Sequence, residues 1–123
     1  MSRTEAAAAP FSGAPYNQAI AFGDLVFVAG QLPVDPSGKM VEGGIAEQTE
    51  QVLRNVGAIL EAAGSSLDKL LKTTVFLADL GDFAAMNEVY ARHVGDRPPA
   101  RSTFGVAALP AGALVEIEAV GHR

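Results

Sequence analysis

The amino-acid sequence predicts an α+β fold, a single mixed β-sheet with two helices packed on one face, assembled as a homo-oligomer. Three observations lead there. The apolar period switches along the chain in the order strand, strand, helix, strand, helix, strand, strand. Only two stretches keep the helical period, too few to cover both faces of a sheet. In residues 70–78, Leu-Leu-Lys-Thr-Thr-Val-Phe-Leu-Ala, apolar side chains fall in both alternating sets, so the second face also needs shielding from water. With 123 residues the chain has none left for another layer, and a second copy is the economical cover.

Residues 1–15, alanine-rich with Pro10, Gly13 and Pro15, read as a loose arm, with the folded domain spanning 16–123. Residues 17–22 and 25–31 are apolar runs joined by Gly23-Asp24, the pattern of a hairpin. Residues 33–44 contain the turn Asp35-Pro36-Ser37-Gly38 and then Gly43-Gly44, and read as a loop. From Ile45 the period becomes helical. Val52, Leu53, Val56, Ile59, Leu60 and Ala63 share a face with Ile45, and Gly64 marks the end. Residues 70–78 follow as a strand. Asp82 is then a candidate N-cap for a second helix carrying Phe83, Met86, Tyr90 and Val94, closed by Gly95. Residues 101–108 and 114–121 read as two strands linked through Pro110-Ala111-Gly112.

Composition narrows the function. The formal net charge is −5 and the nine basic residues are scattered, which weighs against nucleic acid as a partner and favours small polar metabolites. Cysteine is absent, so disulfides, thiolate nucleophiles and cysteine-ligated metals are excluded, and a cytoplasmic setting suits the chain. No apolar stretch reaches membrane-spanning length. No phosphate-loop, dinucleotide, zinc-protease or nucleophile-elbow motif occurs. His93 and His122 stand alone, so no metal site is expected.

What remains is one arginine and a pair of glutamates. Pro98-Pro99-Ala100-Arg101 places Arg101 directly after a stiff, extended segment, which fixes its direction. A permanently charged planar fork held in place is a carboxylate receptor. Arg101 and Thr103 share one side of their strand, and Glu116 and Glu118 one side of the next. If the turn at 110–112 makes these strands neighbours, a glutamate and the arginine can share a face, as a cross-strand ion pair or as a site. Tyr16 is either a pocket wall or plain packing, and Gly30 either a close ligand approach or a bulge. Asn87 lies on the apolar side of the second helix, where its amide needs a partner.

Taken together the segments resemble the Rid family (the RidA or YjgF type) of reactive-intermediate, enamine/imine deaminases. The resemblance is carried by Pro15-Tyr16-Asn17-Gln18-Ala19-Ile20, Val28-Ala29-Gly30-Gln31-Leu32-Pro33, Gln48-Thr49 with Leu53 and Asn55, and Leu71-Lys72-Thr73-Thr74-Val75-Phe76-Leu77. Phe83 with Asn87 and Tyr90, Pro99-Ala100-Arg101-Ser102, and Leu109-Pro110 before Val115-Glu116-Ile117-Glu118-Ala119 complete it. It implies a chorismate-mutase-like fold assembled as a homotrimer with clefts between subunits. It also implies cofactor-independent hydrolysis of 2-aminoacrylate-type enamine and imine acids to 2-keto acids and ammonia. In that pattern Arg101 binds the substrate carboxylate, Glu116 positions the attacking water, Gly30 supplies a backbone contact, and Tyr16, Asn87 and Thr103 line the pocket. Ala29 stands where some members have serine, which bears on substrate preference. Two alternatives stay open at this level: a non-catalytic trimeric protein that binds carboxylate metabolites, and a specialised deaminase or hydrolase with a larger substrate.

Overall fold

In the computed structural model, which describes residues 1–11 and 13–123, the sheet has six strands in the order β1-β2-β3-β6-β4-β5. The strands are β1 (Ser2–Thr4), β2 (Ala19–Phe22), β3 (Leu25–Gln31), β4 (Leu70–Leu77), β5 (Ala100–Gly105) and β6 (Val115–His122). The helices α1 (Ile45–Ala62) and α2 (Phe83–Val94) pack against each other over one face. The predicted single mixed sheet with two helices on one face and the predicted element order stand, with one added strand at the start.

That strand corrects the expectation of a loose arm. Arg3 pairs with Ile20, and the buried side chain of Gln18 clamps the segment that follows. Its Oε1 accepts from Ala6 N at 2.7 Å, and its Nε2 donates to the Ala6 and Ala9 carbonyls. An alanine-rich stretch carries no period of its own. It is ordered here by backbone donors and acceptors that find partners, which no side-chain pattern announces.

The hairpin at Gly23-Asp24 forms as expected, with Ala19 opposite Val28 and Phe22 opposite Leu25. Glu47 in the first turn of α1 accepts from Gly44 N at 2.8 Å, and Gly64 takes the left-handed conformation just past the end. Asp82 precedes α2 but makes no side-chain cap. Asp79 instead accepts from Gly81 N at 2.8 Å, tightening the 3₁₀ turn before the helix.

The second correction is topological. β5 and β6 are not neighbours: β4 lies between them, parallel to β5 and antiparallel to β6. Since β6 is antiparallel to both β3 and β4, those two strands run parallel with β6 inserted between them. The segment 110–112 is a 3₁₀ turn with Ala111 at φ 57° and is part of a crossover, not of a hairpin.

The core lies between the sheet and the helices. Val26, Val28, Val75, Leu77, Val115 and Ile117 face Val52, Leu53, Val56, Ile59, Leu60 and Met86, all fully or nearly fully buried. The opposite sheet face is open. Phe22, Phe27 and Phe104 are 65%, 44% and 53% exposed there, alongside Ile20, Leu25, Phe76 and Val120. This contiguous apolar surface agrees with the two-sided apolar pattern of 70–78.

His93 does not stand alone. Its Nε2 lies 2.9 Å from Glu50 on α1, and Glu50 also accepts from Arg54 Nε at 2.9 Å. The His93 hydrogen bond, followed by Arg54, holds the Glu50 carboxyl below its ordinary value. A lowered folded-state value means the link stabilises above the unfolded value and is lost as pH falls through the folded one. Glu50→Gln should therefore lower the melting temperature at neutral pH by about 1–3 °C, with the gap to wild type closing between about pH 5 and pH 3. Thermal melts across that range check it; a gap constant with pH would contradict the pairing.

Candidate active site

The period-2 alternation of the strands sorts the candidate residues onto two faces. Arg101 pairs with Thr73 and Thr103 with Val75, both buried under the helices. Glu116 pairs with Phe76 and Glu118 with Thr74, on the open face. Thr73 and Phe76 are three residues apart on one strand, so their partners Arg101 and Glu116 project from opposite faces. Within one protomer the arginine and the glutamate do not meet. The expected shared face is wrong because it assumed a hairpin where the chain makes a crossover.

Arg101 occupies the outermost strand, where the sheet edge meets α2. Its guanidinium carbon lies 4.8 Å from the centroid of the Tyr90 ring and 5.5 Å from that of Phe83. Among the described residues no carboxylate lies within ion-pair distance of it. Its fork is thus attracted by the ring faces of Tyr90 and Phe83. Thr103 is half-buried two residues along the same side of β5. Asn87 lies between Phe83 and Tyr90 on α2, and its Oδ1 is buried without a partner, an unmet acceptor beside the arginine's aromatic neighbours.

Glu116, Gly30 and Tyr16 form a second group. β3 bulges against β6 between Val28 and Gln31, where Ala29 and Gly30 together oppose a single residue. This bulge is also a close approach. A Cβ built on Gly30 would fall on the Glu116 carboxylate oxygen, with Cδ only 3.0 Å away, so the bulge reading holds and the group that approaches the glycine backbone is the chain's own Glu116 side chain. Gln31 braces the bulge, its Nε2 donating to the Ala29 carbonyl at 3.0 Å. Glu116 is half-buried beside Phe76, whose ring stacks on Phe104 at 6.4 Å. Burial pushes its carboxyl above the ordinary range, and repulsion from Glu118 adds to the effect. Gly30 also borders a cleft of about 410 Å³, lined in addition by Phe11, Tyr16, Gln18, Gln31 and Leu32. Tyr16 is exposed and meets Phe11 edge to face at 5.4 Å.

The rear wall of this cleft is held from α1. Asn55, fully buried, donates from Nδ2 to the Leu32 and Val34 carbonyls at 3.1 and 2.9 Å, and receives Gln51 Nε2 at 2.9 Å. Thr73, Tyr90, Gln31 and Asn55 carried no assigned role in the sequence. The available signals were their places in the segments that carry the family resemblance and, for Tyr90, its position on the stripe of Phe83 and Asn87. Among the described residues no three histidine or carboxylate side chains converge as a metal site would require, and no helix is long and apolar enough to cross a membrane.

Two separate groups result: an arginine on the helix side of the sheet edge, and a glutamate on the open face that meets Gly30 at the rim of a cleft. The first can orient an acid; the second can hold and activate water. Comparison with known proteins bears on what they do. A family model described as Endoribonuclease L-PSP matches residues 6–122. A RutC family protein of Pyrococcus horikoshii is 52% identical over 116 residues, 94% of this chain and 92% of its own length. The human 2-iminobutanoate/2-iminopropanoate deaminase is 46% identical over 115 residues, 93% of this chain and 84% of its own. Among solved structures, E. coli TdcF with bound serine superposes at a TM-score of 0.94 and 39% identity, covering 100% of this chain and 99% of that one.

Proposed function

The chain belongs to the Endoribonuclease L-PSP family, the Rid (RidA/YjgF) group its sequence resembles, and from that premise we propose that it is a cofactor-independent deaminase of small enamine and imine acids in the cytoplasm. The observation that carries the reading is the unpaired Arg101 fork, a receptor for a planar carboxylate. The deaminase relative at 46% identity supports the chemistry, and the serine-bound neighbour supports a small amino acid-like ligand.

In this mechanism Arg101 grips the carboxylate of 2-aminoacrylate or a related acid in its imine tautomer. Asn87 and Thr103 line that side, and Tyr16 and Gly30 the other. Glu116 takes a proton from water as its oxygen bonds to the imine carbon, forming a carbinolamine. That proton passes to nitrogen, the hydroxyl proton of the carbinolamine then follows it by way of Glu116 as the C–N bond breaks, and ammonia leaves a 2-keto acid. A carboxyl with a raised pKa is suited to both steps.

Because Arg101 and Glu116 lie on opposite faces, the working site combines the arginine half of one copy with the glutamate half of another, in a homotrimer. The open apolar face supports that assembly. The test is complementation. Arg101→Ala and Glu116→Gln proteins, each inactive alone, should recover about a quarter of wild-type activity when dissociated and reassembled in equal amounts, since one random two-chain site in four is intact. No recovery from fully mixed oligomers would place both residues in one chain and overturn the arrangement. Gly30→Ala should displace the Glu116 carboxylate and lower kcat by about 10²-fold. Turnover of imine generated in situ by a pyridoxal-phosphate dehydratase measures it, and a wild-type rate would remove Gly30 from the site. If wild type binds 2-ketobutyrate yet does not accelerate ammonia release, the cleft is a receptor without catalysis.

A further inference from the structure

Tyr90 and Thr73 complete a closed circuit around Arg101. Thr73 is the residue of β4 paired with Arg101 across the ladder. Its Oγ1 lies 2.6 Å from the Tyr90 hydroxyl, and both side chains are buried. The Tyr90 ring in turn lies under the guanidinium at 4.8 Å, with Phe83 one flank away at 5.5 Å. Backbone register, a hydroxyl pair and a ring face thus each fix one side of a triangle whose last corner is the fork.

The choice of an aromatic neighbour has a chemical consequence. A carboxylate partner would occupy the N–H donors that an incoming acid must use. A ring face attracts the cation and leaves those donors open. A tyrosine ring held only at its Cβ end can swing about χ1; a hydroxyl bonded to the fully buried Thr73 pins the far end of the ring and prevents that swing.

We infer that Tyr90, locked by Thr73, is a positioning residue that holds the Arg101 fork in its carboxylate-binding orientation. The inference rests on Arg101 being the carboxylate receptor, and the experiment separates the two. In the full-length protein Tyr90→Leu should weaken 2-ketobutyrate binding, and raise KM for the imine, by about tenfold with kcat changed less than about threefold. Tyr90→Phe and Thr73→Val, which keep the ring or the shape but break the hydroxyl pair, should each raise KM about threefold. The double variant should be no worse than either single one. In an Arg101→Ala background, Tyr90→Leu should cost no further 2-ketobutyrate affinity.

A purely structural tyrosine would behave differently, lowering melting temperature and the active fraction while leaving KM alone. Unchanged KM in Tyr90→Phe and Thr73→Val, or an equal loss of affinity from Tyr90→Leu with and without Arg101, would overturn the inference even if Tyr90→Leu alone folds poorly. Arg101→Ala with wild-type affinity for 2-ketobutyrate would instead overturn the receptor assignment itself.

Discussion

Replacing Arg101 with lysine should lower kcat/KM for imine hydrolysis by more than about 10²-fold while leaving fold and oligomer intact. Charge is conserved in this change, so its effect isolates geometry. Lysine presents three donors on a flexible stem and no planar face. It can neither make two parallel bonds to a carboxylate nor stack over Tyr90 and Phe83. The fold should survive because Arg101 is half-buried at the sheet edge, and among the described residues it closes no ion pair whose loss would strand a buried charge. Circular dichroism and sedimentation establish integrity, and keto-acid release measures activity. A lysine variant working near the wild-type rate would mean that a positive charge suffices, and the bidentate receptor would have to be given up.

Glu116→Gln should have the next largest effect, lowering kcat by about 10²–10³-fold while changing 2-ketobutyrate affinity by less than about threefold. The amide fills the same space beside Gly30 but cannot accept a proton from water. In wild type the acid limb of the pH–rate profile should lie above the ordinary glutamate range, because burial, then Glu118, raises the Glu116 value and the ionised form is the base. Glu118→Gln removes the repulsive part and should move that limb to lower pH. The same raised value acts on stability with the opposite sign to Glu50. A folded-state pKa above the unfolded one makes ionisation unfavourable to the fold, so this group's contribution improves as pH falls through its folded value. Should Glu116→Gln match wild type at saturating substrate, water activation belongs to another group.

The residues placed in the proposed site were legible as candidates before any coordinates. Arg101 followed Pro98-Pro99-Ala100, and Glu116 shared one side of its strand with Glu118. Gly30 closed Val26-Phe27-Val28-Ala29, and Asn87 sat on an apolar helical side without a partner, as its unbonded Oδ1 bears out. Tyr90 and Thr73 were not legible as a pair, because a tyrosine and a threonine at core positions read as packing until their hydroxyls are seen 2.6 Å apart. Gln18 was likewise hidden, since its partners are backbone groups of an alanine run that has no pattern of its own.

The division between what the chain announces and what folding decides follows from range. Turn chemistry and apolar period act over a few residues, and they sufficed to specify the two helices, the later strands, their order and the existence of an uncovered sheet face. They also specified the side each strand residue takes relative to its neighbours two positions away. The insertion of β6 between β3 and β4 is a long-range pairing, chosen by how six strands and two helices jointly bury their apolar surfaces. No local signal encodes it. The registers of β5 and β6 against β4, with Arg101 opposite Thr73 and Glu116 opposite Phe76, then sent the two side chains to opposite faces, and a shift of one residue in either pairing would have reversed this.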